Sequence, residues 1–414
     1  MQATFLQCAR ESPPCCFKSL LGIDPAMKSL WRRSVILFLS VILLAPPAFA
    51  GDTSPNDNAR FLAGMDVVAG SALEPLTKDK SFVRHSDYFN RAWAGLDSTQ
   101  LARVRAWSTE NLKKTQSSLL YMFSGPDFLY ANALFPKTAT YVMAGLEIPG
   151  DIPDIAKLPR SSIPQELAAL RGSLNSVFSY SFFITKEMKK RLYGRRLTGT
   201  LPVLFVFLAR SGKTIDSVNY VYVDEDGALH PADATAQSDA KYDTVGVKIT
   251  FSGDDRQQQT LYYFKTDLSN EGTGHSGFLK FCEQLGGSDS LIKSASYLLH
   301  SDGFSRVRNF LLEHSATIVQ DDSGIPLKKF DMKEWNVEPF GSYVRPISLF
   351  QRNYQADLHG FFAKRHPHPL RFSFGYQWRG GRSMVLLAMK EPASAYAQPK
   401  GLVQPAKLEE VSRK

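Results

Sequence analysis

The fold is decided by one stretch, SLLYMFSGPDFLYANALFPKTATYVMAGLE, which occupies residues 118–147. Its two ends, SLLYMF and TATYVMAGL, are apolar runs with the length of buried strands. Between them, SGPD has the composition of a tight turn, and residues 128–135 have the length of a short helix that ends at Pro136. A strand, a turn, a helix and a strand in about 30 residues predict a βαβ unit, whose two strands are parallel.

Downstream of this unit, three segments alternate apolar and polar residues. They lie at residues 215–223, 245–251 and 260–266, with turn-rich sequence between them. Such alternation favours antiparallel strands with one solvated face. The run LPVLFVFL at residues 201–208 is apolar throughout, so its periodicity is compatible with a buried strand or a buried helix.

The α/β alternation then returns. Helices are predicted at residues 278–285 and 304–314, and strands at residues 291–299, 317–320 and 383–389. Together these patterns predict a three-layer α/β fold with helices on both faces of the sheet. The sheet is expected to be mixed and mostly parallel, with a Rossmann-like βαβ unit and an antiparallel insertion.

The N-terminus has the three parts of a secretory signal peptide. Lys28, Arg32 and Arg33 form a positive region, residues 34–44 are apolar, and Ala48-Phe49-Ala50 is an A-x-A cleavage motif. The apolar run is shorter than the roughly 20 residues of a membrane span. The sequence therefore predicts a signal peptide at residues 27–50 and a periplasmic or secreted mature chain, with an uncleaved anchor as the alternative. Residues 1–26 are interpreted as an over-extended start.

The composition limits the class of protein to which the chain can belong. With 43% hydrophobic and 21% charged residues among 414, the protein is not a disordered chain. The expected organisation is an N-terminal helical region at residues 51–117, an α/β domain at 118–389 and a mobile tail at 390–414. The net charge of +9 is spread along the chain without a dense basic run, so no nucleic-acid partner is expected. No second apolar stretch reaches membrane length.

Polar residues follow several of the predicted strands. In open α/β sheets, ligands bind beyond the carboxyl ends of the strands, so these residues are the candidate site. Asp127 and Asp302 also stand at expected helix N-caps, which is a structural alternative for each. The candidate ligand-binding residues are Ser124, Gly125, Asp127, Glu147 and Asp267, and the candidate catalytic residues are His300, Asp302 and Asp322.

Two ligand classes follow from this arrangement. Gly125 in the first turn, with Glu147 about 20 residues later, fits a nucleotide or S-adenosylmethionine site, where an acid binds the ribose hydroxyls. That motif has a single glycine, and such cofactors are scarce outside the cytoplasm, so no cofactor is assigned. The favoured interpretation is a protein that binds a small polar ligand at the strand ends.

Two other functions remain open. In a hydrolase, His300 would be the general base, and Asp302 or Asp322 would orient it or hold a metal ion. In a non-catalytic envelope protein, the aromatic-rich region at residues 335–378 would contact a cell-envelope partner or a glycan.

Five segments carry a resemblance to known sequences. They are FSGPDFLYANALFP, TYVMAGLE, TLYYFKTDLS, KSASYLLH and RNFLLEHSATIVQDDSGIP. The chain resembles an uncharacterised family of secreted bacterial proteins over residues 119–389. The resemblance implies secretion and a bacterial source, and it assigns no activity and no site residue.

Overall fold

The computed structural model describes residues 53–180, 185–253, 256–378 and 382–390. The predicted signal peptide, the segment before it and residues 391–414 of the predicted tail lie outside these ranges. The described residues belong to one compact unit, Ala50–Lys414. Helices of the predicted N-terminal helical region share a hydrophobic core with strands of the predicted α/β domain.

Ten strands among the described residues form one sheet. They are β1 (Ser118–Tyr121), β2 (Thr140–Gly145), β3 (Thr214–Val223), β4 (Leu229–Pro231), β5 (Thr244–Ser252), β6 (Gln258–Lys265), β7 (Ser288–Ile292), β8 (Ser315–Gln320), β9 (Trp335–Gly341) and β10 (Met384–Lys390). Their order across the sheet is β4-β3-β5-β6-β2-β1-β7-β8-β10-β9.

Helices cover both faces of this sheet. Those described are α1 (Pro55–Leu62), α2 (Lys80–Leu96), α3 (Ala102–Asn111), α4 (Phe128–Leu134), α5 (Ile163–Ser173), α6 (Asn175–Tyr180), α7 (Thr185–Leu192), α8 (Leu201–Arg210), α9 (Gly272–His275), α10 (Phe278–Gln284), α11 (Ser305–His314) and α12 (Ala356–Arg365). Along β1, Leu119 and Tyr121 join a core with helices α1 to α5 and α8. Leu120 joins a second core with α10 to α12. This alternation places one core on each face of the sheet.

The run LPVLFVFL forms helix α8. Residues from Leu201 to Ala209 are all buried, as expected for a helix that is apolar all round. Pro202 lies in its first turn, where the missing N–H costs no helical hydrogen bond.

The centre of the sheet is parallel. β6, β2, β1, β7 and β8 are neighbours, and each adjacent pair runs in the same direction. If these five strands are numbered 1 to 5 by their order in the chain, their order across the sheet is 3-2-1-4-5. β1 and β2 pair from Ser118↔Thr140 to Tyr121↔Met143, with α4 between them in the chain, as the sequence predicts.

The prediction of a mostly parallel sheet is wrong. Of the nine pairings in the sheet of the described residues, five are antiparallel, involving β3, β4 and β5 at one edge and β9 and β10 at the other. The predicted antiparallel insertion is present, but it extends the central sheet. Short connections join β3 to β4 and β5 to β6, whereas β10 pairs with β8 and β9 through long connections, so antiparallel pairs accumulate at both edges.

The predicted strand at residues 291–299 is also wrong. β7 ends at Ile292, and the next residues include Ser294 (φ 57°), Ser296 (φ 53°) and Tyr297 (φ 57°) in the left-handed region. Non-glycine residues adopt that region at a steric cost, and a strand cannot continue through it. The chain therefore leaves the sheet at Lys293, so several polar side chains lie at the carboxyl end of β7.

Candidate functional site

The order of the parallel strands reverses between β1 and β7. From β1 the chain continues to β2 on one side, and from β7 it continues to β8 on the other. All three strands β1, β7 and β8 run in the same direction, so their carboxyl ends share one edge of the sheet. Residues 123–127, 293–297 and 321–323 follow these ends.

An ion pair lies between the ends of β1 and β7, and we call Asp127 and Lys293 the ion-pair group. Lys293 Nζ is 2.7 Å from Asp127 Oδ2, and both side chains are almost completely buried. The same oxygen accepts a hydrogen bond from the Tyr121 hydroxyl at 2.9 Å, and Asp127 Oδ1 accepts from the Tyr130 N–H. Lys293 Nζ also lies 3.9 Å from the centre of the Tyr130 ring. Asp127 is thus the N-cap of α4, which confirms that structural prediction, and its charge is compensated.

Two adjacent carboxylates follow β8, and both are buried. Asp321 accepts hydrogen bonds from the N–H groups of Ser294 at 3.1 Å and Ser323 at 3.0 Å. Burial raises the pKa of Asp321, although the nearby Lys293 charge opposes this. Burial and the neighbouring Asp321 charge raise the pKa of Asp322 to about 7. Asp322 therefore changes charge near neutral pH.

Tyr297 links Asp322 to His300. Its hydroxyl donates to Asp322 Oδ2 at 2.5 Å, and its ring centre lies 5.1 Å from that of His300, edge to face. Burial lowers the pKa of His300 to about 4, so its imidazole is neutral at pH 7. A neutral imidazole has one nitrogen that accepts a proton or a hydrogen bond.

His300 borders a cavity of about 310 Å³. Lys328 and Arg352 supply two positive charges to its wall, and Asp357 supplies one negative charge. The volume lies at the lower end of the range for small-molecule sites. The cavity is thus suited to a small ligand with an anionic group.

Three buried side-chain atoms in this region have no hydrogen-bond partner in the described part of the chain. They are Ser294 Oγ, His300 Nε2 and Asp322 Oδ1, and we call these residues the open group. An unpaired buried polar atom costs about 1–3 kcal/mol, so most are satisfied in native proteins. Ser294 of the open group is itself one of the left-handed residues after β7, and such strain often accompanies function.

The segment before β10 closes over the same site. Gly375 has φ 67°, and a Cβ there would lie 1.8 Å from Asp321 Oδ2, so this position requires glycine. The Tyr376 hydroxyl donates to the Ser294 carbonyl at 2.8 Å and lies 2.9 Å from the Ser296 hydroxyl. These contacts hold the loop after β7 in its strained conformation.

At the ends of β1 and β2, the structure brings the predicted glycine and acid together. A Cβ added to Gly145 would lie 3.4 Å from both the Gly125 Cα and Glu147 Oε2. Glu147 Oε1 is 3.6 Å from Lys189 Nζ. Ser124 is buried, and its backbone N–H donates to the Ala144 carbonyl at 2.9 Å, which joins the two strand ends.

Two predicted residues lie outside the buried site. The Asp302 side chain is 99% exposed, with an ion-pair distance of 3.9 Å to Arg308. Its predicted N-cap role is wrong, because the Ser301 hydroxyl caps that turn instead. Asp267 is exposed and accepts from the Ser269 N–H in its own turn. Of the two aspartates proposed to assist His300, Asp322 is therefore the one in the site.

Lys293 and Tyr297 are not among the predicted site residues, because both fall inside the predicted strand at residues 291–299. One signal was present. A lysine inside the apolar run LIKSASYLL is rarely buried unless it is paired, so it indicates a buried partner elsewhere in the chain. Gly375 and Tyr376 had no comparable signal.

The described residues contain no group of three or more His, Cys, Asp or Glu side chains arranged to hold a metal ion. No helix in the same ranges has the length and hydropathy needed to cross a membrane. Comparison of the chain with models of protein families, with curated proteins and with solved structures finds no match.

Proposed function

We propose that this protein binds a small hydroxylated ligand with one anionic group in the cavity beside His300. The observation that carries the proposal is the open group, three buried polar atoms without partners at the ends of β7 and β8. A ligand hydroxyl would bind His300, the member of the open group that borders this cavity. The anionic group would lie against Lys328 and Arg352, which border the same cavity.

The strand order supports this location. The central strands follow the 3-2-1-4-5 order of doubly wound sheets, in which ligands bind where the order reverses. This favours a Rossmann-like interpretation of the βαβ unit. At that point, however, the protein's own Asp127 and Lys293 are buried against each other. The proposed ligand therefore lies beyond β7 and β8, and the Gly125 and Glu147 pair is retained only as an alternative subsite for a ribose.

A panel of hydroxylated anions tests the proposal. Glycerol 3-phosphate, tartrate and glucose 6-phosphate are added separately, and glycerol and glucose serve as uncharged controls. We expect at least one anion to raise the melting temperature in a saturable manner. His300→Ala and Arg352→Gln should abolish this shift, whereas Asp302→Ala should preserve it. An equal shift in the His300→Ala variant would contradict the proposal.

A second candidate is a hydrolase that uses the same residues. It is favoured by the position of His300 on the cavity wall, where a neutral imidazole can accept a proton, although its lowered pKa makes it a weak base. Turnover of an ester or phosphoester probe that disappears in His300→Ala would support it. Retention of the turnover in that variant would exclude His300 as the base.

The envelope-binding alternative has less support. Much of the aromatic content of residues 335–378 lies in the core, including Trp335, Phe340, Phe362 and Phe372. Periplasmic or secreted location remains a proposal from residues 27–50. The mass of the mature protein from bacterial periplasm would test it, with Gly51 as the expected first residue.

A further inference from the structure

A second cavity, of about 460 Å³, lies between α3 and the segment that follows α12. Its lining residues differ from those of the cavity beside His300. On one side it is bordered by α3, and on the other by residues 368–372. Phe340 of β9 and His368 form an isolated parallel bridge, which fixes that segment beside the sheet edge.

Three buried aromatic rings form the apolar part of this cavity. The Trp107 ring centre lies 5.2 Å from that of Phe340 and 6.0 Å from that of Phe372, both edge to face. Ala102 and Ala106, one turn apart on the exposed side of α3, leave the space open because their side chains are small. The cavity is therefore suited to a flat apolar group.

The polar groups of the cavity are mostly donors. Trp107 is 6% exposed, and its Nε1 has no hydrogen-bond partner in the described residues. An indole N–H can only donate. Arg103 Nη1 donates to the Arg371 carbonyl at 3.1 Å, which occupies one of the five N–H donors of that guanidinium. Arg371 itself adds a second guanidinium, against the single carboxylate of Glu110.

We propose that this cavity binds an aromatic carboxylate. The ring would pack against Trp107 and Phe372, where stacking and T-shaped contacts are favourable. The carboxylate would accept hydrogen bonds from Arg103 and Arg371, whose planar guanidinium groups match its geometry. This site does not depend on the function proposed for the open group.

Isothermal titration calorimetry with 2-naphthoate tests the proposal, and 2-naphthamide is the uncharged control. We expect saturable binding of one 2-naphthoate per chain and binding of the amide that is at least about tenfold weaker. Equal affinity for acid and amide would overturn the proposal. It would also be overturned if no binding of 2-naphthoate were measurable at concentrations up to about 10 mM. That limit corresponds to a binding free energy of no more than a few kcal/mol.

Three variants locate the binding. Ala106→Leu fills the cavity from an exposed helical position that tolerates leucine, so we expect a folded protein without binding. Arg371→Gln should weaken binding by about tenfold. Arg105→Gln is the matched control, because Arg105 lies on the same helix but pairs with Asp97. Unchanged binding in Ala106→Leu, or equal loss in the two arginine variants, would place the ligand elsewhere.

Discussion

Two groups of polar residues lie side by side at the carboxyl ends of the central strands, and they differ in how well their atoms are paired. In the ion-pair group, Asp127 and Lys293 neutralise each other, and both oxygens of Asp127 accept hydrogen bonds. In the open group, Ser294, His300 and Asp322 each leave one buried atom without a partner. The first group is therefore internally complete, whereas the second is the one that we propose to bind a ligand, at some cost in stability.

The largest effect is expected from breaking the ion pair. Lys293→Met leaves the buried Asp127 carboxylate without its counter-charge, which should reduce the free energy of unfolding by about 3–5 kcal/mol. Urea denaturation measures this loss, and the exposed Lys329→Met is the control. Adding Asp127→Asn should recover part of the loss, because the unpaired charge disappears while an oxygen remains for Tyr121. A cost below about 1 kcal/mol for Lys293→Met would contradict the structural role.

In the open group, Asp322→Asn should change the pH dependence of stability. The pKa of Asp322 is raised to about 7, so the folded state holds a proton that the unfolded state, with a pKa near 4, releases. Stability from this group is present at low pH and is lost as the pH rises toward 7. Relative to the wild type, the asparagine variant should gain on the order of 2 kcal/mol between pH 5 and pH 8. A constant difference across these pH values would show that Asp322 is not perturbed by burial.

Tyr297→Phe should have a smaller effect, and its pH dependence relative to the wild type should run in the opposite direction. It removes the hydroxyl that donates to Asp322, which should cost about 1 kcal/mol at pH 8. The cost should be smaller at pH 5, where Asp322 is protonated and the hydrogen bond is not charge-assisted. Urea denaturation at both pH values measures it, with the exposed Tyr193→Phe as control. A larger cost at pH 5 would contradict the assigned hydrogen bond.

The smallest effect on stability is expected for His300→Ala. Only Nε2 of the ring lacks a partner, because the imidazole also hydrogen-bonds to the backbone of Asp322 and Gly324 and packs against Tyr297. The loss at pH 7 should therefore be about 0.5–1 kcal/mol, larger than that of the exposed Asp302→Ala. As the pH falls below 6.5, the free energy of unfolding should decrease less in the His300→Ala variant than in the wild type. The neutral His300, whose pKa is about 4, resists protonation in the folded state but not in the unfolded state. Identical acid unfolding of the two proteins would refute this.

Local patterns account for much of what the sequence predicts correctly. The β1–α4–β2 unit follows from apolar runs around the SGPD turn, and the N-cap role of Asp127 follows from its position before a helix. Pairing between distant segments is not local. Lys293 is 166 residues from Asp127, so the ion pair depends on the order of strands in the sheet. The end of β7 was missed because serine and tyrosine, unlike glycine, give no signal for left-handed backbone.

The edges of the sheet were harder to predict for the same reason. Alternation in β3 and β5 correctly indicates antiparallel strands, but it does not show that they extend the central sheet. The candidate site was predicted in part. His300 and Asp322 lie near one another through Tyr297, whereas the exposed Asp302 and Asp267 are surface turn residues.

The two groups differ most in one expected property, since we propose that the open group binds a ligand and that the ion-pair group does not. The most direct test of this proposal is a crystal structure of the protein with glycerol 3-phosphate, tartrate or glucose 6-phosphate at saturating concentration. We predict density in the cavity beside His300, with a ligand oxygen or hydroxyl within hydrogen-bond distance of His300 Nε2 and the Asp127–Lys293 pair unchanged. Density only elsewhere, or an empty cavity with all three compounds, would contradict the account.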